Sequence, residues 1–160
     1  MLLMLFIAFA GFSCKKPGYV MDTIVQLHVV NQQSENLVAN SAILNYDNIE
    51  VYHVNNGEKT LVNNVLMAFA KGFLIGPLEG DTTVGLRVTP NVGTLQNKPV
   101  EYRTTLIKLG DLGVDTIRCE VICQGGTLLA VRKVWYNSEL KWDQKLNTGS
   151  THRQITIIKK

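Results

Sequence analysis

The sequence predicts an all-β protein, an antiparallel sandwich of about seven to nine strands. Three observations carry this. Segments that read as strands recur along the chain, alternating as in IEVYHV at Ile49–Val54 or running long as in VEYRTTLIKL at Val100–Leu109. Glycine, asparagine and aspartate punctuate them at short intervals, as at Asn55-Asn56-Gly57, Glu79-Gly80-Asp81 and Gly110-Asp111-Leu112-Gly113. Helical periodicity is scarce, with a single weak instance between Leu61 and Lys71.

Taken in order, Lys15 to Met21 reads as a tether and Thr23–Asn31 (TIVQLHVVN) as the first strand. Gln32 to Asn40 is polar and reads as a loop. In Ile49–Val54, Ile49, Val51 and His53 face one way while Glu50, Tyr52 and Val54 face the other. Asn55-Asn56-Gly57 tolerates positive φ and signals a hairpin. In Leu61–Lys71, Val62, Val65, Leu66 and Phe69 have helical spacing, but Asn63-Asn64 breaks the run and a strand with a turn is the preferred reading. Phe73–Leu78 and Thr82–Pro90 form strand, turn, strand, with Val84, Leu86 and Val88 on one face. After Val100–Leu109, Asp115–Cys123 and Thr127–Tyr136 make a hairpin around Gln124-Gly125-Gly126, and Gln154–Ile158 closes the chain.

The start of the chain is of another kind. Every residue from Met1 to Phe12 is apolar, with Gly11 the one interruption, and no charge precedes Lys15. At 1.5 Å per residue the run gives roughly 20 Å against a bilayer core of about 30 Å, too short to span it. Its length suits the apolar core of an export signal. Ser13 then stands directly before Cys14, and Lys15, Lys16, Pro17 and Gly18 follow. This stretch resembles a bacterial lipoprotein signal peptide, whose lipobox ends in a small residue and a cysteine; Gly11 and Phe12 depart from its preferred residues. The resemblance implies a signal peptide at 1–13, lipid on Cys14, a lipidated tether at 14–21 and a single β-sandwich domain at 22–160. It also implies residence in the bacterial cell envelope, anchored to a membrane that we expect to be the outer one. Lys15 and Lys16 stand where surface-export signals in some lipoproteins carry acidic residues, which favours the periplasmic face. Separately, Gly72-Phe73-Leu74-Ile75, Gly80 and the alternation Val84–Val88 faintly resemble the pattern of transthyretin-like or carboxypeptidase-regulatory β-sandwich domains. That resemblance implies architecture alone, an immunoglobulin-like or transthyretin-like sandwich.

Length and charge narrow the function classes. Of the 160 residues, those from Cys14 onward make one domain by ordinary size, with room for a core that needs neither metal nor disulfide. Sixteen basic against thirteen acidic residues leave a net charge of +3, scattered along the chain, so no nucleic-acid footprint is expected. Cys119 and Cys123 on one strand would point the same way roughly 13 Å apart, beyond the about 7 Å between Cα atoms that a disulfide spans. They are expected as small apolar groups; a metal pair lacks a nearby histidine.

No catalytic residues, metal ligands or cofactor are expected. His28, His53 and His152 are far apart and carry no metal spacing. Asp111 and Asp115 around Gly113 have the residue types of a weak calcium loop, and of an ordinary turn, which is the preferred reading; Glu79 and Asp81 beside Gly80 read the same way. The strongest candidate binding residues are Trp135, Tyr136, Asn137 and Trp142, in a stretch holding both tryptophans of the protein. Flat rings beside amides and carboxylates suit a sugar, whose C–H face they cover, or a protein hot spot. The structural alternative is a hairpin turning at Asn137-Ser138 with Trp135 in the core. The function expected is a binding or structural module anchored to a membrane through Cys14, with a glycan or an envelope protein as partner. The alternatives are a carbohydrate-binding surface lipoprotein using Trp135–Trp142 and, less favoured, a small envelope hydrolase.

Overall fold

The computed structural model describes residues 20–65, 69–93, 99–124, 128–147 and 152–160. Two sheets pack face to face, and the described residues contain no α-helix. The strands are β1 (Val20–Asp22), β2 (Val25–Val30), β3 (Ile49–Asn55), β4 (Glu58–Leu61), β5 (Phe73–Pro77), β6 (Val84–Val88), β7 (Val100–Leu109), β8 (Val114–Gln124), β9 (Leu128–Tyr136), β10 (Glu139–Asp143) and β11 (Arg153–Ile158), with a 3-10 turn at Gly110–Leu112 between β7 and β8. The larger sheet runs β1-β9-β8-β7-β3-β4, and β10 also pairs with β9; the smaller runs β11-β2-β6-β5. The expected all-β sandwich is what forms.

Its departure from a purely antiparallel arrangement lies at two strands near the ends of the fold. β1 pairs with β9 and β11 pairs with β2 in parallel, while the remaining pairings are antiparallel. β1 and β10 meet the same edge of β9 end to end, β1 at Leu128–Ala130 and β10 from Lys133 to Tyr136. Val20 and Met21 of β1 are residues expected to belong to the tether and are already paired in the sheet. Three exposed residues (VMD) carry too little apolar pattern to announce a strand; the open edge of β9 recruits them.

The period-2 pattern sorts the core. Val25, Leu27 and Val29 of β2, Leu86 and Val88 of β6, and Ile155 and Ile157 of β11 face Ile49, Val51, Ile107, Leu109, Ile117, Val131 and Val134 of the larger sheet. Asn56 (φ 52°) and Gly57 (φ 85°) turn β3 into β4, the hairpin that Asn-Asn-Gly signalled. Beyond Leu61 the expected strand does not continue: the described residues up to Gly72 take turns and open backbone, and 66–68 lie outside them. In the β8–β9 hairpin the loop residues 125–127 likewise lie outside the described residues.

Arg153 ties the two sheets together. It stands on β11 of the smaller sheet, only 4% exposed. Its guanidinium donates to both oxygens of Asp22 on β1 at 2.7 and 2.5 Å, and its Nε donates to the Val131 carbonyl at 2.9 Å. It also lies 5.2 Å from the ring centre of Trp142. The guanidinium thus fills the gap where β1 ends and β10 has yet to begin along β9.

Candidate functional site

The four residues singled out in the sequence do not form one surface. On β9, Trp135 and Tyr136 are neighbours and therefore point to opposite faces: Tyr136 is buried and Trp135 half-buried. On β10, a register shift between Leu140 and Trp142 sets Trp142 opposite Val134, in the core and 4% exposed. Trp135, which the hairpin expectation put in the core, is on the outer side, and Trp142 lies inside. A single added residue at this bulge exchanges the faces, and alternation alone does not show it.

Asn137 (φ 47°) and Ser138 (φ 71°) form the tight turn, as expected. Asn137 also fastens that turn to β8: its Nδ2 donates to Asp115 at 2.8 Å, and its Oδ1 accepts from the Thr116 N–H at 2.8 Å. The Tyr136 hydroxyl donates to Asp115 at 2.5 Å, and Lys159 completes the group with an ion pair to the same carboxylate. Burial and the neighbouring carboxylate push the Tyr136 hydroxyl far above its ordinary pKa. Burial would raise Asp115, but donors from Asn137, Lys159 and Tyr136 outweigh it and hold the carboxyl below its usual range. Tyr136 and Asn137 are thus engaged in contacts that hold the fold, and Trp142 lies in the core.

Trp135 instead joins residues from two neighbouring strands on the outer face of the larger sheet. Register places Thr104 of β7, Arg118 of β8, Trp135 of β9 and Leu140 of β10 in one row across the sheet. Tyr102, two residues before Thr104 and on the same face, is 52% exposed. The Arg118 guanidinium lies 4.8 Å from the Tyr102 ring centre and 5.8 Å from that of Trp135, within cation–π range. The two rings are 5.9 Å apart and tilted by 58°, so they form a notch rather than a flat shelf. The Tyr102 hydroxyl donates to Glu120 at 3.0 Å, and Lys133 faces the same carboxylate at 3.7 Å. Sequence reasoning missed Tyr102 and Arg118 because their nearness to Trp135 comes from register across three strands. The signal available covered Arg118 alone, which alternates with Ile117 and Cys119 beside Thr116 and Glu120 on the polar phase of its strand; Tyr102 shares its face of β7 with Val100 and Leu106 and gave none.

The remaining candidates resolve locally. Cys119 is buried, and burial pushes its thiol up to about 12; Cys123 is half-buried, and both are free thiols. Asp111 is exposed on the 3-10 turn, while Asp115 points inward and is taken up by protein donors, so the pair is not shared by one loop site. Glu79 pairs with Arg87 and, at 3.2 Å, with His152, and Asp81 accepts from Thr83. His53 sits half-buried against the Thr89 carbonyl, and burial lowers its pKa. A cavity of about 1020 Å³ opens beside it, lined among others by Asn91, Glu101 and Arg103. Among the described residues no group of three or more His, Cys, Asp or Glu is placed to hold a metal ion, and no helix is long and apolar enough to cross a membrane. Residues 1–13 and Cys14 lie outside the described residues.

Comparison with family models, curated proteins and solved structures gives no match for this chain.

Proposed function

We propose that this chain is a lipid-anchored module of the bacterial cell envelope, held to a membrane through Cys14, which binds a partner with the outer face of its larger sheet and performs no catalysis. The observation that carries the binding half of this reading is the Tyr102–Arg118–Trp135 notch, two rings and an exposed cation presented on a rigid sheet. The anchoring half rests on the apolar run ending at Ser13-Cys14. Residues 15–19 separate Cys14 from Val20, a distance of at most about 22 Å when fully extended. A lipid at Cys14 would therefore keep the β1 edge close to the bilayer, and more than one acyl chain would make that attachment stable. Lys15 and Lys16 would add about 1 kcal/mol each on an anionic leaflet.

Fractionation of expressing cells tests the anchor. Wild-type protein is expected in the membrane fraction with incorporated labelled fatty acid, and Cys14→Ala is expected soluble and unlabelled. Equal membrane retention without label would overturn lipidation. Protease treatment of intact cells then reads the leaflet, with protection until the outer membrane is broken expected for the periplasmic side. A second reading, saccharide capture, is favoured by Trp135 and Tyr102 standing together on the open face. Trp135→Ala is its clean test, since Trp142→Ala would open a core cavity instead.

A further inference from the structure

We propose that the notch of Tyr102, Arg118 and Trp135 takes a saccharide that carries carboxylates, a chain containing uronic acid, with Arg118 receiving the carboxylate while the rings cover the sugar's C–H face. This deepens the saccharide reading of the same surface and rests on it.

The charge balance of the outer face supplies the argument. Several of its other charges are matched in pairs: Glu50 with Lys108 at 3.0 Å, and Lys133 with Glu120 at 3.7 Å and with Asp143 at 3.8 Å; Lys59, out on the edge strand β4, lies over the single ring of Tyr52 at 5.4 Å. Arg118 enters no ion pair among the described residues; its contacts there are the two rings. Glu120, two residues along the same strand, already accepts from the Tyr102 hydroxyl and faces Lys133. What remains is an exposed guanidinium that lies against aromatic faces and whose charge meets no carboxylate among the described residues.

A guanidinium is a planar fork that offers two parallel N–H donors to a carboxylate while its flat faces stay against rings. An ammonium in the same place would offer a point charge without that directionality. The rings narrow the ligand further. Tilted by 58°, they cannot lie together on the flat face of a crystalline neutral polysaccharide. They can grip a single chain, one ring on a sugar face and the other at its edge. Apolar C–H surface and a carboxylate within one ring's width of each other is the composition of a uronate residue.

The test is calorimetric titration of the full chain in detergent with three probes: hexagalacturonate, the same oligomer methyl-esterified, and maltohexaose. The acid is expected to bind at least about tenfold more tightly than its ester, the scale of one hydrogen-bonded charge. The difference should shrink in 0.5 M salt, because an exposed pair is screened. Arg118→Gln should bring the acid to the affinity of the ester, Arg118→Lys should recover only part of the preference, and Trp135→Ala should weaken acid and ester alike, each with an unchanged unfolding midpoint. Equal binding of acid and ester overturns the inference but leaves saccharide capture standing. No binding of any probe by folded wild type overturns both. A photo-crosslinker at position 104 would then read whether the face meets a protein instead.

Discussion

Asp115 has a buried carboxylate, 5% exposed, engaged by Tyr136, Asn137 and Lys159. One side chain thereby joins β8 to the β9–β10 turn and to the residue that follows β11. Removing its charge leaves the Lys159 ammonium enclosed without a counter-ion, and breaking a buried pair from one side costs about 3–5 kcal/mol. Asp115→Asn is therefore expected to lower unfolding free energy by that order at pH 7 in a urea titration. The sign with pH follows from the direction of the shift. The folded carboxyl lies below its unfolded value of about 3.9, so its stabilisation is complete above that value and is lost as pH falls through the folded pKa. The gap between wild type and Asp115→Asn should close on acidification below about pH 4. A gap independent of pH would show that the carboxylate's charge is not what stabilises this corner.

At the scale of the element, two glycines that face each other across β5 and β6 behave differently. Gly76 and Gly85 are cross-strand partners, yet a Cβ on Gly76 would meet nothing within 4 Å. A Cβ on Gly85 would come 2.5 Å from Leu78 Cδ2 and 2.7 Å from the Leu27 carbonyl. Leu78, buried at 2% exposure, closes over β6 only because that position has no side chain. Gly85→Ala is expected to cost about 1–3 kcal/mol, the range for overpacking, whereas Gly76→Ala should be near neutral or slightly stabilising in thermal unfolding. Equal effects would refute the close approach. The elements also show what the sequence could and could not convey. β7 was legible to the residue, Val100–Leu109, because ten residues rich in β-branched, aromatic and aliphatic side chains run without a glycine, proline, asparagine or aspartate among them. β8, β9 and β11 were legible to within a residue or so. β1, β4 and β10 are short and mostly exposed, so they hold their place through the strand beside them, information that no local window contains. The site failed on the same point. Trp135 was visible as a candidate, but Tyr102 and Arg118 reach it through register, and Trp142 left it through a bulge.

At the scale of the molecule, the sandwich gathers its two ends. Asp22 on β1 and Arg153 on β11 meet though 131 residues separate them, and β11 lies along β2, with Arg153 opposite Val25. One edge of β2 stays bare until β11 arrives, and the gap along β9 stays open until Arg153 fills it. A chain lacking β11 would expose that edge and lose Arg153, so truncation after His152 is expected to abolish cooperative unfolding in urea; a sharp transition in the truncated chain would show that the rest is self-sufficient. Contacts this distant in sequence also make folding slow. A ribosome delivers β2 well before β11. Until β11 has been made the chain therefore cannot complete its sandwich, and the polypeptide stays an open thread, available to whatever handles unfolded chains.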